Sequence, residues 1–137
     1  MDEKSCLCHQ TRMAARAVTR LYDDILRSMG LRATQLAVLV AADHEDVVSI
    51  TALAKFMGMD RSTLTRNLAP LEREGLIRLG NEGWRRSRIV EITPKGRSRL
   101  RQALPLWEKA QDTMRHKLGS RKWALIMANL DDLIRVA

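Results

Sequence analysis

A chain of 137 residues, 45% hydrophobic and 29% charged, carries enough apolar side chains for one packed domain, which excludes a disordered chain. Aromatic residues are only 4%, so the core must come from Leu, Ile, Val, Ala and Met, a set that favours helices. The net charge of +8 is unevenly placed: residues 1–60 sum to −1, residues 61–101 hold 11 basic against 4 acidic side chains, and residues 102–137 sum to +2.

A basic surface turned toward a polyanion explains that distribution, and so does a solvated face that only aids solubility. The longest apolar run, Leu36 to Ala42, falls far short of the roughly 20 residues that span a bilayer. The start Met1-Asp2-Glu3-Lys4 lacks the apolar stretch of a signal peptide. A cytoplasmic protein without a membrane partner is expected.

In chain order, Cys6-Leu7-Cys8-His9 comes first. Thiols one residue apart make a poor intrachain framework. Beside an imidazole they suit a soft metal or an oxidant sensor, and equally they suit small apolar residues of a helix start packed at a dimer seam. Adjacent ligands fill only part of a tetrahedral site, so no metal is assigned. From Thr11 to Met29 the residues Met13, Ala17, Val18, Leu21, Ile25 and Leu26 recur at three- and four-residue steps, predicting an amphipathic helix ended by Gly30. Tyr22 and Met29 are candidates to line a pocket. Gln35 to Ala42 is a second helix with Thr34 as its candidate cap, followed by the polar break Asp43-His44-Glu45-Asp46.

Ser49 is a candidate N-cap for a short helix bearing Ile50, Leu53, Ala54 and Met57, with Gly58 at its end. Asp60 caps the next, Arg61 to Glu74, which puts Leu64, Leu68 and Leu71 on one face and is closed by Gly75. Pro70 predicts a bend in its later turns. Two short helices around a glycine turn make a helix-turn-helix, whose second helix fits the major groove of DNA. The groove-facing candidates are Arg61, Ser62, Thr63, Thr65, Arg66 and Asn67, with Arg66 suited to bond a guanine by two donors.

Leu76 to Leu79 and Ile89 to Ile92 read as strands of a hairpin whose loop carries Trp84, Arg85, Arg86 and Arg88. Arginines suit a narrow, electronegative minor groove. Thr93 caps and Pro94 opens a helix to Leu118, with a kink expected at Pro105. After Gly119-Ser120 a last helix spans Arg121 to Val136. Trp107 and Trp123 fall on helical patterns as core or dimer-seam residues. His44 and His116 read as surface residues. An enzyme built on Cys8 and His9 lacks any orienting group or oxyanion motif, so no enzyme is expected.

Three ordered segments carry a resemblance: Asp60-Arg61-Ser62-Thr63-Leu64-Thr65-Arg66, Leu71-Glu72-Arg73-Glu74-Gly75-Leu76-Ile77 and Ile92-Thr93-Pro94-Lys95-Gly96. From about Thr11 onward the chain resembles the MarR family. The resemblance implies a mainly α fold with a small β-hairpin wing: a winged helix-turn-helix flanked by terminal helices that intertwine two subunits. It divides the chain into an N-terminal dimerisation helix (1–32), a DNA-binding lobe (33–93) and C-terminal dimerisation helices (94–137). It further implies a homodimer on a pseudo-palindromic operator in double-stranded DNA, usually as a repressor, released by a small molecule, metal or oxidant, with Cys6 and Cys8 as the candidate sensing residues. No cofactor is called for. The family's wing usually places an Asp two residues before its arginine; here Trp84 stands there, so Arg86 would be held by stacking on the indole. A sequence-tolerant architectural DNA binder is the alternative reading.

Overall fold

The computed structural model describes residues 6–44, 47–83 and 87–137. Among the described residues, six helices and three strands follow in the order α1 (Leu7–Leu26), α2 (Ala33–His44), β1 (Val47–Ser49), α3 (Ile50–Met57), α4 (Arg61–Arg73), β2 (Ile77–Gly83), β3 (Ser87–Ile92), α5 (Pro94–Leu118) and α6 (Ser120–Val136), with a 3-10 turn at Arg27–Met29 after α1. The fold is therefore mainly α with a small antiparallel sheet, as the sequence implies.

Local chemistry sets most of the boundaries. The Ser49 hydroxyl accepts the Ala52 N–H, the Asp60 carboxylate accepts that of Thr63, and the Thr93 hydroxyl accepts that of Gly96, so three expected caps are in place. Gly58 holds φ at 62°, a left-handed turn that a side chain would strain, and its N–H returns to the carbonyls of Ala54 and Lys55. α4 continues past Pro70 and α5 past Pro105, so neither proline ends its helix.

Three features depart most from expectation. α1 begins at Leu7 rather than Thr11, which makes Cys6 its N-cap residue and places Cys8 in its first turn. α2 is not capped by Thr34. Its first N–H, from Ala33, goes to the Asp23 carboxylate at 2.7 Å, and the Arg32 N–H goes to the Gln35 side chain at 3.0 Å. The latter is half of a capping box, and the former comes from another helix. The hairpin also gains a third strand. β1 pairs with β3, Val48 opposite Val90, giving the order β1-β3-β2, while Leu79 of β2 faces Val90 from the other side.

One core joins these elements. Leu39 of α2, Leu53 of α3, Leu64, Leu68 and Leu71 of α4, and Ile77 and Val90 of the sheet are all buried, with Leu26 closing it from the end of α1. Burying each such side chain stabilises the fold by roughly 1.5–3 kcal/mol. The first and last helices contrast with this. α1 buries only Leu26 and α6 buries no residue at all. Among the described residues, no single helix is long and apolar enough to cross a membrane.

Candidate nucleic-acid interface

α4 divides cleanly. Leu64, Leu68 and Leu71 enter the core, and on the opposite side Arg61, Ser62, Thr65 and Arg66 are exposed, with Thr63 and Asn67 half-buried between. Several polar groups on that face already have partners. The Ser62 hydroxyl donates to Asp60 at 2.8 Å, the Thr65 hydroxyl to the Arg61 carbonyl at 2.8 Å, and the Asn67 amide to the Thr63 carbonyl at 3.0 Å. Asp60 is held at about 2, well below the usual carboxylate, by the Thr63 N–H first and the Ser62 hydroxyl second. It therefore stays ionised at the helix N-terminus, where negative charge opposes the macrodipole. Arg61 and Arg66 remain exposed on this face, and the Arg66 charge adds a smaller lowering of the Asp60 pKa.

Two groups among the other basic residues of the central segment contrast. Arg88 is exposed on β3, while Arg85 and Arg86, like Trp84, lie outside the described residues. Lys95, Arg97 and Arg99 instead bind the protein itself. Lys95 donates to the Glu74 carbonyl at 2.7 Å, and Arg97 pairs with Asp43 at 3.2 Å. Arg99 donates to the Met29 carbonyl at 2.9 Å and lies 3.7 Å from the Glu74 carboxylate. Charge counting from sequence thus overstates the surface left for a polyanion.

These contacts explain why two separate sequence motifs occur together. The Thr93 hydroxyl donates to the Gly75 carbonyl at 2.6 Å, and the Thr93 N–H donates to the Leu76 carbonyl at 3.1 Å. Gly96 packs so tightly there that a Cβ would sit 2.0 Å from the Leu76 carbonyl oxygen. The Thr-Pro-Lys-Gly start of α5 is a clamp on the backbone that leaves α4.

A second feature lies beneath α4's lobe. An apolar cleft of about 450 Å³ is lined by Val18 and Tyr22 of α1, Leu36 of α2, Phe56 of α3, and Leu104 and Trp107 of α5. The Tyr22 hydroxyl donates to Gln111 at 2.6 Å, and burial raises its pKa. Met29, expected beside Tyr22, packs against the core instead. Trp107 is partly exposed on the cleft and Trp123 lies under the Arg115 guanidinium at 5.4 Å, so neither is a core residue. Cys6 is half-buried, Cys8 is exposed, and both thiols are free. Among the described residues no cluster of three metal-ligating side chains occurs.

The MarR family model matches residues 31–79, from the start of α2 into β2. The chain is similar to the transcriptional regulator MosR of M. tuberculosis, solved in complex with DNA, at 34% identity over 96% of both chains with a TM-score of 0.86. It is also similar to the transcriptional repressor CouR, solved on a 23-mer DNA duplex, at 26% identity over 98% of this chain and 96% of that one, with a TM-score of 0.85. The HTH-type transcriptional regulator SarZ of Staphylococcus epidermidis is 28% identical over 92 residues, a match that spans 66% of this chain and 62% of that protein. With its three motifs built into one winged lobe and a near full-length relative in MosR, the chain belongs to the MarR family of transcriptional regulators.

Proposed function

We propose that the chain is a homodimeric repressor that reads a pseudo-palindromic operator in double-stranded DNA. α4 enters the major groove, and the hairpin arginines Arg85, Arg86 and Arg88 lie along the adjacent minor groove. The carrying observation is the division of α4, in which three buried leucines and the Asp60 cap fix the helix while Arg61 and Arg66 extend from its opposite face. The DNA-bound state of MosR and CouR supports the same partner here.

Dimerisation follows from the terminal helices. Leu125, Ile126, Met127, Leu130 and Ile134 of α6 are each at least 40% exposed, and Leu7, Met13 and Val18 of α1 are exposed as well. A second copy covers these faces, in the manner of an obligate two-fold dimer. Release from DNA is assigned to a small apolar ligand in the Tyr22 cleft, between α1 and α5 and the lobe, or to thiol chemistry at Cys6 and Cys8 at the start of α1.

Arg66→Ala tests the central claim. It is expected to cost about 1–3 kcal/mol on a duplex enriched by binding from a random pool, and to relax preference at one position per half-site. Equal affinity of the parent for enriched and random duplexes at the same salt would favour sequence-tolerant, architectural binding instead.

A further inference from the structure

Besides the face of α4 already described, a cleft of about 790 Å³ opens where the end of α1 and the start of α2 meet α4, and it is lined by Arg27, Arg32, Arg66 and Asn67. We propose that this cleft seats the sugar-phosphate backbone of DNA beside the groove that α4 occupies, with Arg32 as the main phosphate ligand and Arg27 as an auxiliary one. The proposal rests on α4 being the recognition helix and adds a second, sequence-independent anchor to it.

The geometry follows from how a helix sits in DNA. The major groove is about 12 Å wide, close to the diameter of one helix with its side chains. A helix seated there lies against the bordering phosphates, and whatever packs on its flank meets them. On this flank stands the N-terminus of α2. Its cap position is Arg32, whose side chain is exposed and forms no ion pair among the described residues. The backbone beneath that side chain is fixed, because the Arg32 N–H is held by Gln35 and the Ala33 N–H by Asp23. A rigid mount and a planar, forked cation suit a phosphate oxygen pair.

Arg27 stands across the turn at Gly30, whose φ of 63° reverses the chain between the two arginines. It pairs with Asp24 one turn earlier, with the two side chains 78% and 65% exposed. Such exposed pairs hold little energy and open readily for a stronger anion. Asp24 therefore restrains the auxiliary site, while the Asp23 carboxylate is occupied by the backbone of α2.

The test is a salt titration of the full-length protein, read by fluorescence anisotropy on an enriched duplex and on a random duplex of equal length. Arg32→Ala is expected to weaken both duplexes by the same factor, roughly ten- to thirtyfold near 0.15 M salt, and to lower the log–log salt slope by about 1.8 per dimer. Arg32→Lys should restore most of the slope, which loss of folding would not allow. Asp24→Asn, by freeing Arg27, should tighten both complexes several-fold. An unchanged slope in Arg32→Ala, with Arg66→Ala still selectively weakening the enriched duplex, overturns the phosphate seat and leaves the recognition helix standing. If Arg66→Ala also has no effect, the placement of α4 falls and the seat falls with it.

Discussion

The winged lobe and the first and last helices, α1 and α6, are built to opposite rules. From α2 to β3 nearly every leucine and valine on an inward face is buried, with Leu39, Leu53, Leu64 and Leu68 at zero exposure. In α6, by contrast, Ile134 and Val136 remain 77% and 78% exposed, and Leu125 and Leu130 about half. Both regions are amphipathic in sequence, so the difference lies in what each apolar face meets. The lobe completes its own core, whereas α6 and the first half of α1 leave apolar stripes exposed, which the proposed dimer would cover. An isolated helix of 17 residues with no buried side chain is marginal in water, so the proposed dimer would supply the stability that α6 lacks by itself.

The sharpest way to break that contrast is to charge the stripe. Ile126→Asp with Leu130→Asp places two carboxylates in the proposed dimer seam, and burial of unpaired charges costs several kcal/mol each. Sedimentation equilibrium should then show a monomer at micromolar concentration. A variant that remains dimeric would show that α6 is not the seam.

A subtler comparison uses deletions of equal size. Leu68→Ala removes core volume from the lobe and should cost about 2–5 kcal/mol in urea denaturation. Leu130→Ala should cost less, and its midpoint should rise with protein concentration, since mass action couples the seam to dimer formation. If both variants respond alike to concentration, the lobe and the seam are one cooperative unit and the distinction drawn here fails.

The smallest effect concerns acid. Because the Asp60 pKa falls from 3.8 to about 2 on folding, the ionised carboxylate stabilises α4 fully above 3.8 and loses that contribution as pH drops toward 2. Asp60→Asn keeps a capping oxygen but cannot titrate. Thermal denaturation should therefore find the variant slightly less stable at neutral pH, with the gap closing between 3.8 and about 2. A gap of constant size across that range would assign the effect to packing and not to charge.

Much of the lobe was legible because its signals are local. Ser49, Asp60 and Thr93 each cap a helix within three residues, and Gly58 turns the chain where it stands. What escaped depends on partners distant in the chain. β1 has only three residues, too few to show alternation, and exists because Val47 to Ser49 pair with residues some forty positions later. The cap of α2 is Asp23 on another helix, so the nearby Thr34 was the wrong candidate. The start of α1 was hidden because Cys8, His9 and Gln10 add no apolar rhythm. For the proposed interface, spacing nominates Arg61 and Arg66, whereas the proposed phosphate ligands Arg27 and Arg32 carry no such signal, since they sit in a segment whose charges sum to −1. Lys95, Arg97 and Arg99 misled in the other direction. Their charges looked available for a polyanion and are used to join helices.

The clamp at the start of α5 has a consequence for evolution. Thr93 and Lys95 grip the carbonyls of Gly75, Leu76 and Glu74, and Gly96 packs directly against the Leu76 carbonyl. None of these contacts touches a side chain on the outward face of α4. A mount that grasps only main-chain atoms is indifferent to the letters it displays. On the proposed reading, changes at positions 61, 65 and 66 alter the target while the register of the helix is preserved, and divergence in target need not pass through a loosened fold.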